Sequence, residues 1–259
     1  MKTANPIHPT AKPSIKTLAS APQQERQRRT ELMQLLRDTP IPESELDSNV
    51  GLYCTRQALS RILYMHDLYT QIKDIHGSIM EFGVRWGHNL ALFSSFRGIH
   101  EPFNYSRKII GFDTFDGFPG VAAQDGPSVS TGDYSVTESY ESHLSKILDI
   151  HESLSPLPHI PKYELVQGDA TKTLPEYLNR NPHTIVALAC FDFDLYAPTK
   201  ACLETILPRI PKGGIIAFDE LNHPQFPGET TAVLETIGLQ KYRLNRSPLN
   251  PFCCYIKIE

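Results

Sequence analysis

Residues 185–223 read IVALACFDFDLYAPTKACLETILPRIPKGGIIAFDELNH, and this stretch decides the fold. Two apolar runs, Ile185–Phe191 and Gly214–Phe218, are each followed directly by acidic residues, and a segment with helical spacing lies between the runs. Short apolar runs that alternate with helices are typical of parallel β-strands covered on both faces. The stretch therefore predicts a strand–helix–strand unit of an α/β sheet.

The same pattern extends towards both ends of the chain. Upstream, the apolar runs at Ser78–Val84, Lys108–Phe112 and Tyr163–Val166 are each followed by a helical segment. Downstream, only a short turn separates the runs Gln240–Leu244 and Phe252–Ile258, which predicts an antiparallel pair at the far end of the sheet. We therefore expect a doubly wound, mostly parallel, seven-stranded α/β sheet with its ligands beyond the carboxyl ends of the strands.

The first 77 residues lack strand patterns. Residues 1–24 carry four prolines and no acidic residue, and we expect a flexible arm there. An organelle transit peptide is also basic, but prolines disfavour its amphipathic helix, and no apolar stretch is long enough for a secretory signal. Residues 25–77 predict two helices, the second over Thr55–His76 with an apolar face at Leu59, Ile62, Leu63, Ile72 and Ile75. We expect these helices to form a lid or an oligomer contact, and residues 78–259 to form the sheet domain.

The composition excludes several classes of partner. Of the 259 residues, 40% are hydrophobic and 21% are charged, and the net charge is -4. Nucleic-acid binding depends mainly on neutralising phosphates, so we expect no nucleic-acid partner. No apolar run approaches the ~18–20 residues that span a bilayer, so we expect no membrane partner. The five cysteines form no Cys-x-x-Cys pair, which argues against a disulfide framework or a zinc site and favours a reducing cytoplasm.

A glycine-containing turn follows the first predicted strand, where residues 81–87 read EFGVRWG. Gly83 and Gly87 allow a tight turn ahead of a helix, but the dinucleotide fingerprint G-x-G-x-x-G is absent because Arg85 stands at its second glycine. Glu81, two residues before Gly83, makes the pattern more typical of a cofactor with an amino acid moiety than of one with a pyrophosphate. The alternative is a structural turn that binds nothing.

Acidic residues also follow the second and third strands. Asp113 stands where an acid usually holds ribose hydroxyls, although it could instead cap the following turn. Asp169 lies at the same rim and is a second candidate for contacting a cofactor, with the N-cap of the next helix as its alternative.

The strongest cluster of candidate residues follows the fourth and fifth strands. Asp192 and Asp219 should meet at one edge of the sheet, with Asp194 and Glu220 beside them. Four carboxylates that converge repel one another unless a cation or shared protons neutralise them. Oxygen ligands favour a hard divalent cation such as Mg²⁺ or Ca²⁺. The alternative is that these acids only cap turns.

Four segments, EFGVRWG (81–87), GFDTFDGFP (111–119), FDFDLYAPT (191–199) and AFDE (217–220), resemble the TylF/NovP-type family of macrocin O-methyltransferases. The resemblance extends over residues 78–258. It implies a class I, Rossmann-like methyltransferase domain that is dependent on S-adenosylmethionine and a metal ion and that acts on sugar hydroxyls of glycosylated natural products. It further implies a methionine site at Glu81, Gly83 and Gly87, a ribose site at Asp113, and a metal site at Asp192, Asp219 and Glu220, with Asp194 as general base.

Two positions depart from the family pattern. The family usually has two aspartates and a tyrosine where this chain has Asp219-Glu220-Leu221, and Glu220 carries its carboxylate one methylene further from the backbone. His88 replaces the second glycine of a usual Gly-Gly pair. Both departures bear on the acceptor more than on the fold.

The resulting expectation is a cytoplasmic, dimeric O-methyltransferase in which Mg²⁺ holds two vicinal acceptor oxygens while Asp194 or a nearby histidine removes a proton. His143, on the helix after the irregular segment 118–136, is predicted to face the site, and the segment itself is predicted to be a lid. Three alternatives remain open: a methyltransferase of catechol-like hydroxyls, a nicotinamide oxidoreductase, and a partner subunit that binds the cofactor without catalysis.

Overall fold

The structure confirms a doubly wound, mostly parallel sheet. It is a computed structural model that describes residues 21–259, so residues 1–20 of the predicted arm lie outside it. Within the described residues the sheet has seven strands, which are β1 (Ser78–Phe82), β2 (Ile109–Asp113), β3 (Tyr163–Gln167), β4 (Val186–Phe191), β5 (Ile215–Phe218), β6 (Leu244–Arg246) and β7 (Cys254–Lys257). Their order is β3–β2–β1–β4–β5–β7–β6, and β1 to β5 pair in parallel.

Helices cover both faces of this sheet. The α-helices of residues 21–259 are α1 (Gln23–Arg37), α2 (Glu43–Asn49), α3 (Arg56–Gln71), α4 (His88–His100), α5 (Tyr140–Ser153), α6 (Ala170–Arg180), α7 (Tyr196–Ile206) and α8 (Pro227–Thr236). One buried apolar cluster joins the sheet to α3, α4 and α5, and a second joins it to α6, α7 and α8. In this described part of the chain, none of the helices is both long and apolar enough to cross a membrane.

The far end of the sheet differs from the prediction in register. β7 pairs antiparallel with both β5 and β6, and it therefore lies between them. The predicted strand Gln240–Leu244 is wrong by several residues, because residues 240–242 form bends and only Leu244–Arg246 pair with β7. Residues 239–241 are exposed, so an apolar run read along this segment overestimated its share of the core.

α3 belongs to the core of the sheet domain through one face. The Thr55 hydroxyl accepts a hydrogen bond from the Ala58 N–H at 3.2 Å and caps the helix, as its position in the prediction suggested. The predicted apolar face is only partly right, because Leu59 and Leu63 are 47% and 45% exposed. The buried face is rotated from that prediction and consists of Tyr64, Met65, Leu68, Tyr69 and Ile72. Tyr64, Met65 and Tyr69 are therefore buried in place of the predicted Leu59 and Leu63.

A row of phenylalanines aligns the strand ends. The rings of Phe112, Phe82, Phe191 and Phe218 stack across β2, β1, β4 and β5, with centroids 5.1, 4.7 and 5.6 Å apart along the row. In the sheet these residues are register partners of one another. The residue after each ring therefore lies at the same edge of the sheet, and those residues are Asp113, Gly83, Asp192 and Asp219.

Candidate active site

The aligned strand ends form one wall of a cavity of about 460 Å³. Eight of the predicted site residues line it, namely Glu81, Gly83, Asp113, Asp169, Asp192, Asp194, Asp219 and Glu220. The prediction that these residues converge is therefore correct as a statement of geometry. Gly87 and His143 do not line the cavity.

The two glycines of the first turn are each required by close packing. Gly83 has a φ of +94°, and a Cβ there would lie 2.1 Å from the backbone oxygen of Asp192, so β1 and β4 can approach each other only at a glycine. Gly87 has a φ of +76° and stands at the N-terminus of α4, where a Cβ would overlap the Leu144 side chain. Gly87 thus fixes the start of the helix and does not touch the cavity.

Glu81 is a buried carboxylate with one unused oxygen. Its side chain is 1% exposed, and its Oε1 accepts a hydrogen bond from the Asn89 amide at 2.7 Å. Its Oε2 is buried and has no hydrogen-bond partner among the described residues. Burial raises the pKa of Glu81 to about 8. A ligand with an ammonium group fits this position, because it would supply both the missing hydrogen bond and the missing charge.

Asp113 and Asp169 both hold backbone groups in place. The Asp113 carboxylate accepts hydrogen bonds from the backbone N–H groups of Arg85 and Phe115, at 2.7 and 2.6 Å, and burial nevertheless raises its pKa. Asp169 caps α6 by accepting from the Thr171 N–H at 3.0 Å. Burial would raise the pKa of Asp169, but the hydrogen bonds from Thr171 outweigh burial and lower it. The structural alternative weighed for each residue is therefore present, and each still faces the cavity.

Asp192 and Asp219 share a cation that the sequence did not reveal. Arg61, which extends from α3, donates from Nη2 to Asp192 Oδ2 at 3.0 Å and from Nη1 to Asp219. Cys253 Sγ also donates to Asp219 Oδ1, at 2.8 Å. Burial and the charge of Asp219 raise the pKa of Asp192 to about 7. Burial would lower the pKa of Arg61, but the attraction of the two carboxylates outweighs burial and raises it.

The predicted metal ligands do not form a metal site in this arrangement. Their oxygens are of the kind that a hard cation prefers, and Glu220 Oε2 is buried without a hydrogen-bond partner among residues 21–259. The guanidinium of Arg61 nevertheless occupies both Asp192 and Asp219. Within the described part of the chain, no group of three or more His, Cys, Asp or Glu side chains is placed to hold an ion. The three residues thus fit a metal ion in chemistry but not in arrangement.

Asp194 stands at a turn of the backbone directly after β4. Its φ of +62° is a left-handed conformation, and α7 begins two residues later at Tyr196. The Asp194 side chain is 7% exposed, and burial together with the charge of Asp192 raises its pKa well above the usual range. A carboxylate in such surroundings is a stronger base than an exposed one.

Glu229 is a buried acid that supports Glu220 from behind the cavity and that sequence reasoning missed. It lies in the first turn of α8 with no exposed surface, and its Oε2 accepts a hydrogen bond from the Glu220 N–H at 3.0 Å. Burial and the charge of Asp194 raise its pKa well above the usual range. An acid in a first helical turn is common because it complements the helix dipole, so its sequence position carried no functional signal.

His143, which was predicted to face the site, is not among the residues that line the cavity. His143 is exposed on α5, and its ring lies 5.6 Å from that of Tyr140. The helix turns Leu144 and Leu148 inwards, which directs His143 to solvent. The irregular segment before α5 does reach the cavity, through Phe118 and Tyr134, whose rings stack 5.2 Å apart.

Comparison with known proteins decides the family. A family model described as macrocin O-methyltransferase (TylF) matches residues 57–233. The chain belongs to this family. It is therefore an S-adenosylmethionine-dependent O-methyltransferase, and the alternatives of a nicotinamide oxidoreductase and a non-catalytic partner subunit fall away. Among curated proteins, none matches this chain.

Solved structures agree with the family. The crystal structure of CalS11, a calicheamicin methyltransferase, has a TM-score of 0.89 and 41% sequence identity, over 94% of this chain and 96% of that one. An apo structure of CalS11, described as a TDP-rhamnose 3'-O-methyltransferase, has a TM-score of 0.83 and 40% identity, over 92% and 96% of the two chains. The O-methyltransferase NovP, at 18% identity and a TM-score of 0.60 over 77% and 79%, shares the fold.

Proposed function

We propose that this protein methylates a hydroxyl of a sugar or glycosylated compound, with Asp194 as the general base. The observation that carries the proposal is that one cavity contains both Glu81, with its unpartnered oxygen, and the buried Asp194. Glu81 suits the amino acid end of S-adenosylmethionine, and Asp194 suits the removal of a proton from the acceptor hydroxyl.

The cofactor fits the side of the cavity formed by β1 and β2. Glu81 and Gly83 would hold the methionine end, Asp113 would hold the ribose hydroxyls, and Asp169 would complete the rim. S-adenosylmethionine supplies a methyl group that is already electrophilic, so the protein has to position and deprotonate the acceptor. Asp113 can accept from ribose while it retains its two backbone N–H bonds, because a carboxylate has about four acceptor sites.

Asp194 removes the proton of the acceptor hydroxyl in this proposal. Burial raises its pKa, which makes the ionised carboxylate a stronger base than an exposed aspartate. Leu195, Phe118 and Tyr134 lie on the same side and pack in one small apolar cluster, which excludes water from the reacting oxygen. The metal dependence predicted from the family pattern stays a prediction, and no step here depends on an ion.

A nucleotide-activated deoxysugar is the acceptor that we place first. The support is the 41% identity, over 94% of this chain, to CalS11, whose apo structure is described as that of a TDP-rhamnose 3'-O-methyltransferase. Glycosylated natural products follow, and catechol-like phenols remain the alternative from another chemical class.

We further propose a cytoplasmic homodimer in which the N-terminal helices, residues 25–77, form the contact. α1 has no buried residue, and Leu35, Leu59 and Leu63 of α1 and α3 are all more than 40% exposed, at 63%, 47% and 45%. Sedimentation velocity checks the dimer: a monomer at micromolar concentration would contradict it.

Product analysis with ¹³C-methyl S-adenosylmethionine tests the proposed function. We expect mass spectrometry and NMR to place the label on a sugar oxygen when TDP-deoxysugars, glycosides and catechols are offered in parallel. Asp194→Asn should bind S-adenosylhomocysteine as the native protein does but lose about 10²–10⁴-fold in rate. Labelling of a phenol alone would assign the catechol class, and an Asp194→Asn variant with native rate would exclude Asp194 as the base.

A further inference from the structure

Arg61 is held from three sides inside the cluster of carboxylates. It contacts Asp192 at 3.0 Å and Asp219 through its two terminal nitrogens, and its Nε donates to Asn89 Oδ1 at 3.3 Å. Only 19% of its side chain is exposed. A planar guanidinium that bridges two carboxylates in this way fills the space between them.

We infer that Arg61 and a divalent cation are alternative occupants of the Asp192–Asp219 pair, so that an ion binds there only when the guanidinium has left. The inference takes these two aspartates as the ligands that the family pattern predicts, and it does not depend on the proposed acceptor or general base. The family pattern predicts a cation at these carboxylates, whereas the structure has Arg61 there. The guanidinium and the cation would therefore compete for the same oxygens.

Simultaneous occupancy is disfavoured by charge. An ion that bound both aspartates would lie within a few ångströms of the guanidinium, and two positive charges repel strongly at that distance in a site with little solvent. Arg61 contributes a single positive charge and makes no ion pair with Glu220, whose Oε2 is buried without a hydrogen-bond partner among the described residues and lies 3.7 Å from His223 Nε2. An ion with two charges would engage all three carboxylates, which gives it a reason to displace the arginine.

The position of Arg61 permits its release. The arginine is attached to the first half of α3, where Leu59 and Leu63 are exposed, whereas Leu68 and Tyr69 anchor the second half in the core. In this inference Arg61 leaves by rotation of its long side chain, which is 19% exposed, while α3 keeps its place against the sheet domain. Asn89 links Arg61 to Glu81, because the Asn89 amide donates to Glu81 Oε1 at 2.7 Å, so release of Arg61 also frees an oxygen beside the predicted cofactor site.

Direct titration with Mn²⁺ tests the inference without any acceptor. Free Mn²⁺ is measured by EPR with the native protein, Arg61→Met, Arg61→Lys and the control Arg56→Met, which removes one exposed positive charge from the same helix. We expect Arg61→Met to bind Mn²⁺ about tenfold or more tightly than the native protein, because a charge-assisted competitor has been removed. Arg61→Lys should lie between the two, since lysine keeps the charge but lacks the bidentate fork. Arg56→Met should bind as the native protein does.

The outcomes separate this inference from the proposed function. Equal or weaker Mn²⁺ binding by Arg61→Met would overturn the inference, as would equal tightening in Arg56→Met or tight binding that survives in an Arg61→Met/Asp192→Asn double variant. Absence of binding in both the native protein and Arg61→Met would overturn it as well. Binding of S-adenosylhomocysteine by each variant shows that the variant is folded, and its absence from the native protein would instead count against the proposed function. If Arg61→Met does not fold, Arg61→Lys alone decides by the same comparison.

Discussion

The carboxylates of the cavity differ in surroundings although they belong to one edge of one sheet. Asp113 and Asp169 are satisfied by backbone N–H groups, Asp192 and Asp219 by Arg61, and Glu81 only in part. These partners separate residues that hold the backbone in place from residues with capacity left for a ligand. Glu81 is the clearest example of the second kind, because its Oε2 is buried and unpartnered among residues 21–259.

The pKa of Glu81 predicts a pH dependence of cofactor binding. In the free protein burial raises this pKa to about 8, so the carboxyl is mostly protonated at neutral pH. The ammonium group of the cofactor favours the ionised form, so binding below that pKa must release a proton. We therefore expect the affinity for S-adenosylhomocysteine to rise by up to about tenfold per pH unit towards the pKa of about 8 and to level off above it.

Calorimetry of the native protein and Glu81→Gln across that pH range checks this prediction. Glu81→Gln has no proton to release at this position. Its affinity for S-adenosylhomocysteine should therefore be weaker than that of the native protein at high pH, and it should stay nearly constant as the pH falls below about 8. A native affinity that is equally flat would show that Glu81 does not meet the ammonium group.

Sequence reasoning placed the acids correctly but not their partners. Apolar runs followed by Asp or Glu suffice to bring Asp192 and Asp219 to one edge, because parallel strands share their carboxyl ends. Arg61 could not be found in the same way, because it precedes these two aspartates by 131 and 158 residues and lies in a helix that read as part of an annex. Arg61 stands among Arg56, Ser60 and His66 on an amphipathic helix, where a basic residue usually faces solvent, so its position carried no functional signal.

At the scale of elements, the start of α7 is held by a residue of the irregular segment. Asp125 is 1% exposed and accepts hydrogen bonds from the backbone N–H groups of Tyr196 and Ala122, both at 2.6 Å. Gly228 of α8 packs so closely that a Cβ there would lie 2.1 Å from Asp125 Oδ1. This contact joins the segment to α7 and α8 directly beside Asp194, which has a left-handed backbone conformation.

Asp125→Ala is therefore expected to affect the position of Asp194. Loss of the carboxylate leaves two backbone N–H groups unsatisfied, at a cost of about 1–3 kcal/mol in the free energy of unfolding. We expect kcat to fall while the dissociation constant of S-adenosylhomocysteine stays native, because Asp113 and Glu81 are not disturbed. The control Asp149→Ala removes an acceptor of the Tyr163 hydroxyl outside the cavity and should leave kcat unchanged. Equal changes in kcat and cofactor affinity in Asp125→Ala would point to general destabilisation.

Element boundaries show where the sequence was insufficient. β1, β2, β4 and β5 lie within one or two residues of their predicted bounds, because long apolar runs in a buried parallel sheet have little freedom of register. The predicted bounds of β6 and the predicted buried face of α3 were wrong. Both elements lie at the margin of the core, where leucine side chains are exposed, so the spacing of leucines did not indicate which residues are buried. His143 was assigned to the site from its position in the chain alone, and Leu144 and Leu148 decided its direction instead.

At the scale of the whole molecule, the architecture separates packing from chemistry. Stacked phenylalanines fill the sheet up to the ends of β2, β1, β4 and β5, and Asp113, Asp192 and Asp219 follow directly after three of them, whereas Glu81 stands one residue before Phe82. Every helix that follows one of these strands starts at the same edge, so the polar residues of four strand ends and of α3 face one cavity. The separation explains how a chain with a net charge of only -4 brings at least six carboxylates together.

A crystal structure with S-adenosylhomocysteine tests the assignment of this cavity as the cofactor and acceptor site. We expect the ribose hydroxyls to lie within hydrogen-bond distance of Asp113, the ammonium group to contact Glu81, and the sulfur to face the side of the cavity that contains Asp194. A ligand held elsewhere, or a bound ribose while Asp113 contacts only the backbone of Arg85 and Phe115, would contradict it.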